Sequence, residues 1–558
     1  MDLSQSVNLE EEIQSIFSEY VKIPSYTNTP EERRVEPFLE SWFKKQDYFL
    51  KHPQYWGSHP VEKDPLNRHV IWGMVKGKGD DTIVLIHHYD VVEIEDFETI
   101  KPFAHDIHQI NREIRSMLHK FDIEAVDDLK TGKWQFGRGS ADMKAGGAIQ
   151  LALLKQYATT PDFQGNVMVL CLPDEENLSA GMRSAISLLS ELKHRFHLSY
   201  QIMINGEPHQ RLTADSGVVY EGSVGKLMPM VYTRGSLAHV GRIFEGLNPL
   251  HLISQLVINT ELNMDFSDIS DGEATPPPSW LYLKDQKTHY DVSIPTKVRA
   301  YLSVLTMNTR PDAFLAKLKS AAEQSFAIVI QRMNQSYQKY LAVTHQPVKK
   351  LPWKVNVKTF AELFQEVSEK ESETFILAYQ SRLAKINKAV AAGNKSLVES
   401  SFDLIEFCLE YSRDKSPIIV IGLSPPYYPD VTNQRIPNLD GKIRHLSQMI
   451  NQFSMDQWQQ PYISRQYYTG ISDLSYSSLF RSVNLTTPIA ANMPLWGKTY
   501  EIKFDKIREI KMPCINIGPW GKDFHKLTER VLIEDLYERT PIILDYVIKH
   551  LLKEKRLP

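Results

Sequence analysis

Val167–Gly181 reads VMVLCLPDEENLSAG, and the order of the whole chain follows from it. Its first half is apolar and partly β-branched, which predicts a buried strand. The strand stops at Pro173, and Asp174, Glu175 and Glu176 follow without a break. Successive strand side chains point to opposite faces, so a strand cannot hide three adjacent carboxylates. They are expected on the loop beyond its end, where like charges repel unless water or a cation compensates them. Taken alone, the triplet reads as a solvated acidic turn. Whether it is more than that depends on what the other strands end in.

Upstream, TIVLI at 82–86 is apolar almost throughout, as expected of a strand covered on both faces, and it runs into His87, His88, Tyr89 and Asp90. Downstream, YQIMI at 200–204 runs into Asn205, Gly206, Glu207 and Pro208. Between the first and second of these strands lies WQFGRGSADMKAGGAIQLALL. Gly137 and Gly139 suit a turn there, and Asp142 precedes a helix whose apolar face is Ile149, Ala152, Leu153 and Tyr157. A second helix is expected from about 179 to 192. Strands alternating with helices predict an α/β fold with a mostly parallel, covered sheet.

The pattern changes after about Glu221. Strands near 226–233, 280–284, 296–306 and 353–357 and helices over 248–262 and 311–340 run in the order βαββαβ. This order suits a two-layer α+β domain inserted into the first. Amphipathic helical sequence then extends from Phe360 to about Arg413, followed by a strand at 417–423 and an amphipathic C-terminal helix near 533–552. The expected organisation is therefore a catalytic first part over 1–222, an inserted domain over 223–358, and a second catalytic part with an extra helical region over 359–558.

With 558 residues, 42% hydrophobic and 24% charged, the chain has the composition of a multidomain globular protein. A formal net charge of -4 gives no reason to expect a nucleic-acid partner. The three cysteines, Cys171, Cys408 and Cys514, are far apart and suggest neither a disulfide framework nor a zinc ribbon, which fits a reducing cytoplasm. The N-terminal segment lacks the apolar core of a signal peptide, and no apolar run reaches the roughly 20 residues that span a bilayer. No membrane association is expected.

His88, Glu176, Glu207 and His525 fall at the C-terminal ends of predicted strands or just beyond, and Asp142 enters from a helix-leading turn. Ligands bind along that edge in an open α/β sheet. Two histidines and three carboxylates suit zinc, and they could also hold cobalt or manganese. One carboxylate bridging two ions would give each ion a nitrogen and two oxygen ligands, the composition of a two-metal hydrolytic centre. Each residue also has a simpler reading: a backbone-bonded strand-end histidine for His88, an N-cap for Asp142, a surface turn for Glu207, a loop histidine for His525. Those readings do not explain why acids and histidines repeatedly end apolar strands.

The motifs HYDVV, GRGSADMKAGG, PDEENLSAG, NGEPH and a late histidine with ERV downstream resemble the M20 family of co-catalytic metallopeptidases and deacylases. Length and the long middle region look most similar to its arginine-utilisation (RocB-like) branch. The resemblance implies a zinc-peptidase-like catalytic domain with an inserted lid or dimerisation domain. It implies two divalent ions, with His88 and Glu207 on one, Glu176 and His525 on the other, and Asp142 bridging. Asp90 would orient the His88 imidazole. Glu175 would be the general base, and His239 the lid histidine that steadies the oxyanion, commonly across a homodimer. Gly470, Ile471, Ser472 and Asp473 resemble the segment lining the substrate pocket. The resemblance does not extend to Val292, Leu305 and Thr528, where the family usually has Asn, Arg and Asn.

The function so implied is hydrolysis of an amide bond in a small N-acyl amino acid or short peptide, in arginine catabolism if the branch holds. Two alternatives stay open from the residues: a metal-binding or regulatory protein without turnover, and a two-metal phosphoesterase.

Overall fold

A computed structural model describes residues 3–211, 213–270, 272–479 and 485–553. The chain forms two compact units. One comprises Met1–Ser223, Val431–Phe480 and Lys503–Pro558; the other comprises Val224–Asp430 and Arg481–Ile502.

The first unit is built on an eight-stranded sheet. Its order is Trp56–Pro60, His69–Lys76, Gln164–Leu172, Lys78–His88, Ser199–Asn205, Cys514–Asn516, Gly217–Tyr220, Tyr462–Arg465. The four central strands, from Gln164–Leu172 to Cys514–Asn516, are parallel neighbours. Ile83, Leu85, Val167, Val169, Ile202 and Ile204 point into one core, completed by the helices Leu3–Val21, Lys144–Thr159 and Thr540–Leu552. Val84, Met168 and Leu170 alternate to the other face, where Ala180–Phe196 packs. Cover on both faces is why the runs 83–86, 167–172 and 202–204 are apolar at every position.

Register decides where the strand ends fall. His88 pairs with Leu172, Ile86 with Asn205, and Asn516 with Asn205. The residues that follow each strand therefore emerge along one edge. The helix Lys144–Thr159 reaches that edge through Gly146, where a Cβ would come within 2.1 Å of the Gly206 carbonyl oxygen. Only glycine allows so close an approach. The polar stretch from Glu93 to Lys133 folds into short helices. Its Phe97, Ile100, Ile110 and Ile114 share a core with Leu527 and Leu532.

The second unit has a five-stranded sheet, ordered Ser279–Asp285, Lys297–Thr306, Gly225–Arg234, Ile418–Tyr428, Val357–Thr359. Pro249–Thr260 lies on one face, where Trp280 Nε1 donates to Thr260 Oγ1 at 2.9 Å. Phe360–Ala391 and Leu397–Tyr411 cover the other face around Met230, Tyr232, Phe375, Phe402, Ile418 and Val420. The insert thus has a third layer beyond the two expected.

Those two helices correct the expected domain limits. The sequence pattern places all of 359–558 in the catalytic part, but the second unit takes in Val224–Asp430 and Arg481–Ile502. The strand Ile418–Tyr428 enters between Gly225–Arg234 and Val357–Thr359 and pairs with both. A boundary at 358 would cut through that sheet.

No helix among the described residues is long and apolar enough to cross a membrane. All three cysteines are free and buried.

Candidate metal centre

Two ligand groups meet at the strand-end edge of the first unit. His88, Asp142 and Glu207 form one; Asp142, Glu176 and His525 form the other, with the ligand atoms of each within 4.8 Å of one another. Asp142 serves both through different oxygens. Its Oδ1 is 3.0 Å from His88 Nε2, and its Oδ2 is 3.3 Å from His525 Nε2. His88 Nε2 is also 3.3 Å from Glu207 Oε1, and His525 Nε2 is 2.9 Å from Glu176 Oε1.

The chemistry of the donor set fits divalent cations. Glu176 Oε1 is buried with no hydrogen-bond partner of normal geometry, despite the nearby imidazole nitrogen. The set is two nitrogens and three carboxylates, with no thiolate, as zinc, cobalt or manganese would accept.

Without a cation the site is electrostatically frustrated. Burial, joined by the Asp142 charge, pushes Glu176 and Glu207 up to about 7. Asp142 and Glu176 push His525 up to about 10. His88 is raised well above its ordinary value: burial opposes this, but Glu207 and Asp142 outweigh it. Asp142 is held low by both histidines against the cost of burial. Glu175, at the centre of this field, is raised far above the carboxylate range by burial, with Glu207 and Asp473 adding to it and His88 opposing.

Supporting contacts refine the expected roles. His88 Nδ1 lies 3.0 Å from the backbone carbonyl of Asp90, which can only accept, so Nδ1 carries the proton and Nε2 faces the ligand group. The Asp90 carboxylate is farther from Nδ1, at 3.6 Å, and accepts instead from the backbone N–H groups of Glu175 (3.1 Å) and Glu176 (3.2 Å). Asp90 therefore orients the imidazole through its carbonyl and the acidic loop through its side chain.

Asp174, for which the sequence suggested no task, is buried. Its Oδ1 accepts from Arg68 at 2.6 Å and its Oδ2 from the Ala180 N–H at 3.0 Å, at the start of a helix. Arg68 also holds Glu32 at 2.8 Å and Asp64 at 2.7 Å. Sequence reading missed Arg68; nothing local in PLNRHVIW marks it.

The segment expected to line the substrate pocket divides. Gly470 is exposed, whereas Ser472 and Asp473 are buried. Ser472 Oγ accepts from Asn205 Nδ2 at 2.9 Å and from the Leu474 N–H at 3.2 Å, so it is committed to the scaffold. Asp473 is pushed up to about 7 by burial, with only the Ser179 hydroxyl and the His88 charge opposing among its larger influences. His239 belongs to the second unit, where it is exposed and its Nδ1 accepts from the Gly241 N–H at 3.0 Å.

The sequence profile of peptidase family M20/M25/M40 matches residues 84–549. The uncharacterized protein YqjN of Bacillus subtilis strain 168 is 31% identical over 98% of this chain and 97% of its own length. RocB of the same strain is 26% identical over 99% of this chain and 97% of its own length. Among solved structures, the di-peptidase Dug1p from Saccharomyces cerevisiae shares the fold with a TM-score of 0.52 at 10% identity, covering 98% of this chain and 99% of that one. Two groups that could hold metal ions share one aspartate on this fold, and the chain belongs to peptidase family M20/M25/M40, a family of hydrolases.

Proposed function

We propose that the protein cleaves an amide bond in a small N-acyl amino acid or short peptide. The observation that carries this reading is Asp142, which places one oxygen in each ligand group. His88 and Glu207 complete the first set, Glu176 and His525 the second. Two divalent ions, zinc foremost, would lower the pKa of an attacking water toward 7 and polarise the amide carbonyl. Glu175, next to Glu176 on the same loop, would take the proton from that water as a carboxylate and return it to the departing amine. His239 steadies the oxyanion. An arginine-related substrate has the full-length likeness to RocB as its support.

A homodimer and a cytoplasmic setting complete the reading. The strand Ser279–Asp285 is a sheet edge exposing Leu281 and Leu283, and the helix Pro249–Thr260 exposes Ile258. Such an edge invites pairing with a second copy. Three free, buried thiols suit a reducing compartment.

The test is a screen of the metal-loaded protein against N-acyl amino acids, dipeptides and phosphoesters. Release of an amine from an amide is expected. Full metal occupancy with no amide turned over would instead favour a binding protein, and turnover of phosphoesters alone a phosphoesterase.

A further inference from the structure

Arg138 and Glu529 lie 391 residues apart in sequence, are each 1% exposed, and belong to neither ligand group. Arg138 Nη1 donates to Glu529 Oε2 at 2.7 Å. The other carboxylate oxygen, Oε1, accepts from the backbone N–H groups of Ala141 (3.1 Å) and Asp142 (3.2 Å). From the same guanidinium, Nη2 donates to the backbone carbonyl of His525 at 3.2 Å, and Nη1 reaches that of Lys526 at 3.5 Å. The guanidinium also donates to Asp96 at 3.2 Å and to the Glu93 carbonyl at 3.3 Å, and it lies 5.4 Å from the centre of the Phe97 ring. Together the two side chains tie the backbone of Asp142 to the backbone of His525.

His525 needs that tie. Its φ is +65°, a left-handed conformation that side chains with a Cβ rarely adopt. Its imidazole is half exposed, so packing does little to hold the ring. His88 and Glu207 of the other ligand group are anchored differently. His88 closes a central strand and bonds to Asp90, and the Glu207 carbonyl accepts from Asn516 Nδ2 at 2.7 Å. Neither of those anchors involves Arg138.

We propose that Arg138 and Glu529 are a positioning pair, Glu529 holding the shared Asp142 and Arg138 the backbone of His525, and that Arg138 sets the affinity of the Asp142–Glu176–His525 site for its divalent ion. The proposal rests on the two-metal reading above. Neither residue touches the reacting atoms; both act through the ligand backbones. Lysine at 138 could keep the buried ion pair with Glu529, and with it the hold on Asp142, but it lacks the second nitrogen that reaches His525.

Cobalt(II) is the probe. Metal-free wild type, Arg138→Lys and Glu529→Gln are titrated with cobalt(II), with visible absorption and elemental analysis giving stoichiometry and circular dichroism checking the fold. Wild type is expected to bind two ions per chain. Arg138→Lys should keep one at unchanged affinity and bind the second about 10- to 100-fold more weakly, the usual effect of losing a partner that orients a ligand. Glu529→Gln, which frees the guanidinium from its anchor, should also weaken the second ion. It keeps the shape of the site and decides the matter if the lysine variant does not fold. Two ions bound at wild-type affinity in the variants would overturn the pair's role, as would parallel loss of both ions from Arg138→Lys. Fewer than two ions on wild type would overturn the two-metal reading itself.

Discussion

At the scale of single residues, the acidic triplet divides its labour. Asp174 is a scaffold residue, Glu176 offers an oxygen to the second candidate ligand group, and Glu175 is the proposed general base. Glu175→Gln should retain both ions by elemental analysis yet lose about 10²- to 10⁴-fold in turnover, the contribution of a positioned general base. Wild-type turnover in that variant would remove Glu175 from the chemistry. The ligands also predict a pH dependence. Glu176 and Glu207 are raised from about 4.5 to about 7 in the metal-free fold, so there they hold protons more tightly than the unfolded chain does. Their stabilising contribution is lost as pH rises through that window. His525, raised to about 10, contributes stability below about 6.5 that is lost between there and about 10. All three make the metal-free protein less stable as pH climbs from 5 to 8. Ion binding needs deprotonated carboxylates and neutral imidazoles, so it strengthens over the same range. The rise in Tm on adding zinc should therefore be larger at pH 8 than at pH 5.5, and a scanning calorimeter showing the reverse would contradict the assignment of these residues. The candidate ligands His88, Asp142, Glu176 and Glu207 were legible in the sequence because each follows an apolar strand or leads a helix, whereas His525 lies in a loop and was marked by the motif resemblance. Asp174 was not legible, since its partner Arg68 is 106 residues away and carries no local signature.

At the scale of elements, the parallel register does most of the work. Pairing His88 with Leu172 and Ile86 with Asn205 delivers three loops to one edge, which is why strand ends alone pointed to the site. The loop after Leu172 is then shaped from below. Arg68 holds Asp174, and Asp174 in turn receives the first N–H of the helix Ala180–Phe196. Arg68→Met would leave the carboxylates of Asp174 and Asp64 buried without their cation, and breaking such a pair typically costs about 3–5 kcal/mol. Chemical denaturation should register a loss of that order, together with weaker binding of the ion that Glu176 helps to hold. A variant with unchanged midpoint and metal content would show that Asp90 alone fixes the loop. The strand Ile418–Tyr428 shows what local pattern could not supply. Its apolar run announced a buried strand correctly, but its partners begin at Gly225 and Val357, and no periodicity encodes which sheet a strand will join. The assignment of 359–430 to the catalytic part failed for that reason.

At the scale of the whole molecule, the exposed edge and the two cores make separate predictions. If the edge Ser279–Asp285 pairs with a second copy, Leu283→Asp should convert a dimer to a monomer in light scattering while leaving metal content intact. A wild-type monomer at high concentration would remove the dimer. The two units carry distinct apolar cores, one around Phe17, Leu85 and Val547, the other around Tyr232, Phe375 and Phe402. All five ligand residues belong to the first unit. An ion that binds only the folded form stabilises by RT ln(1 + [L]/Kd), about 2.7 kcal/mol at a hundredfold excess over Kd. For a domain of 150–250 residues that corresponds to about 5–10 °C in Tm, and a larger unit responds somewhat less. Heating the protein with and without a chelator should therefore show two transitions, of which one moves down by several degrees and the other stays in place. Glu207→Ala should lower the first transition in metal-replete buffer and leave the second unchanged. A single transition that shifts as a whole would mean that the two cores melt as one cooperative body, and that ions bound in the first unit stabilise the second as well.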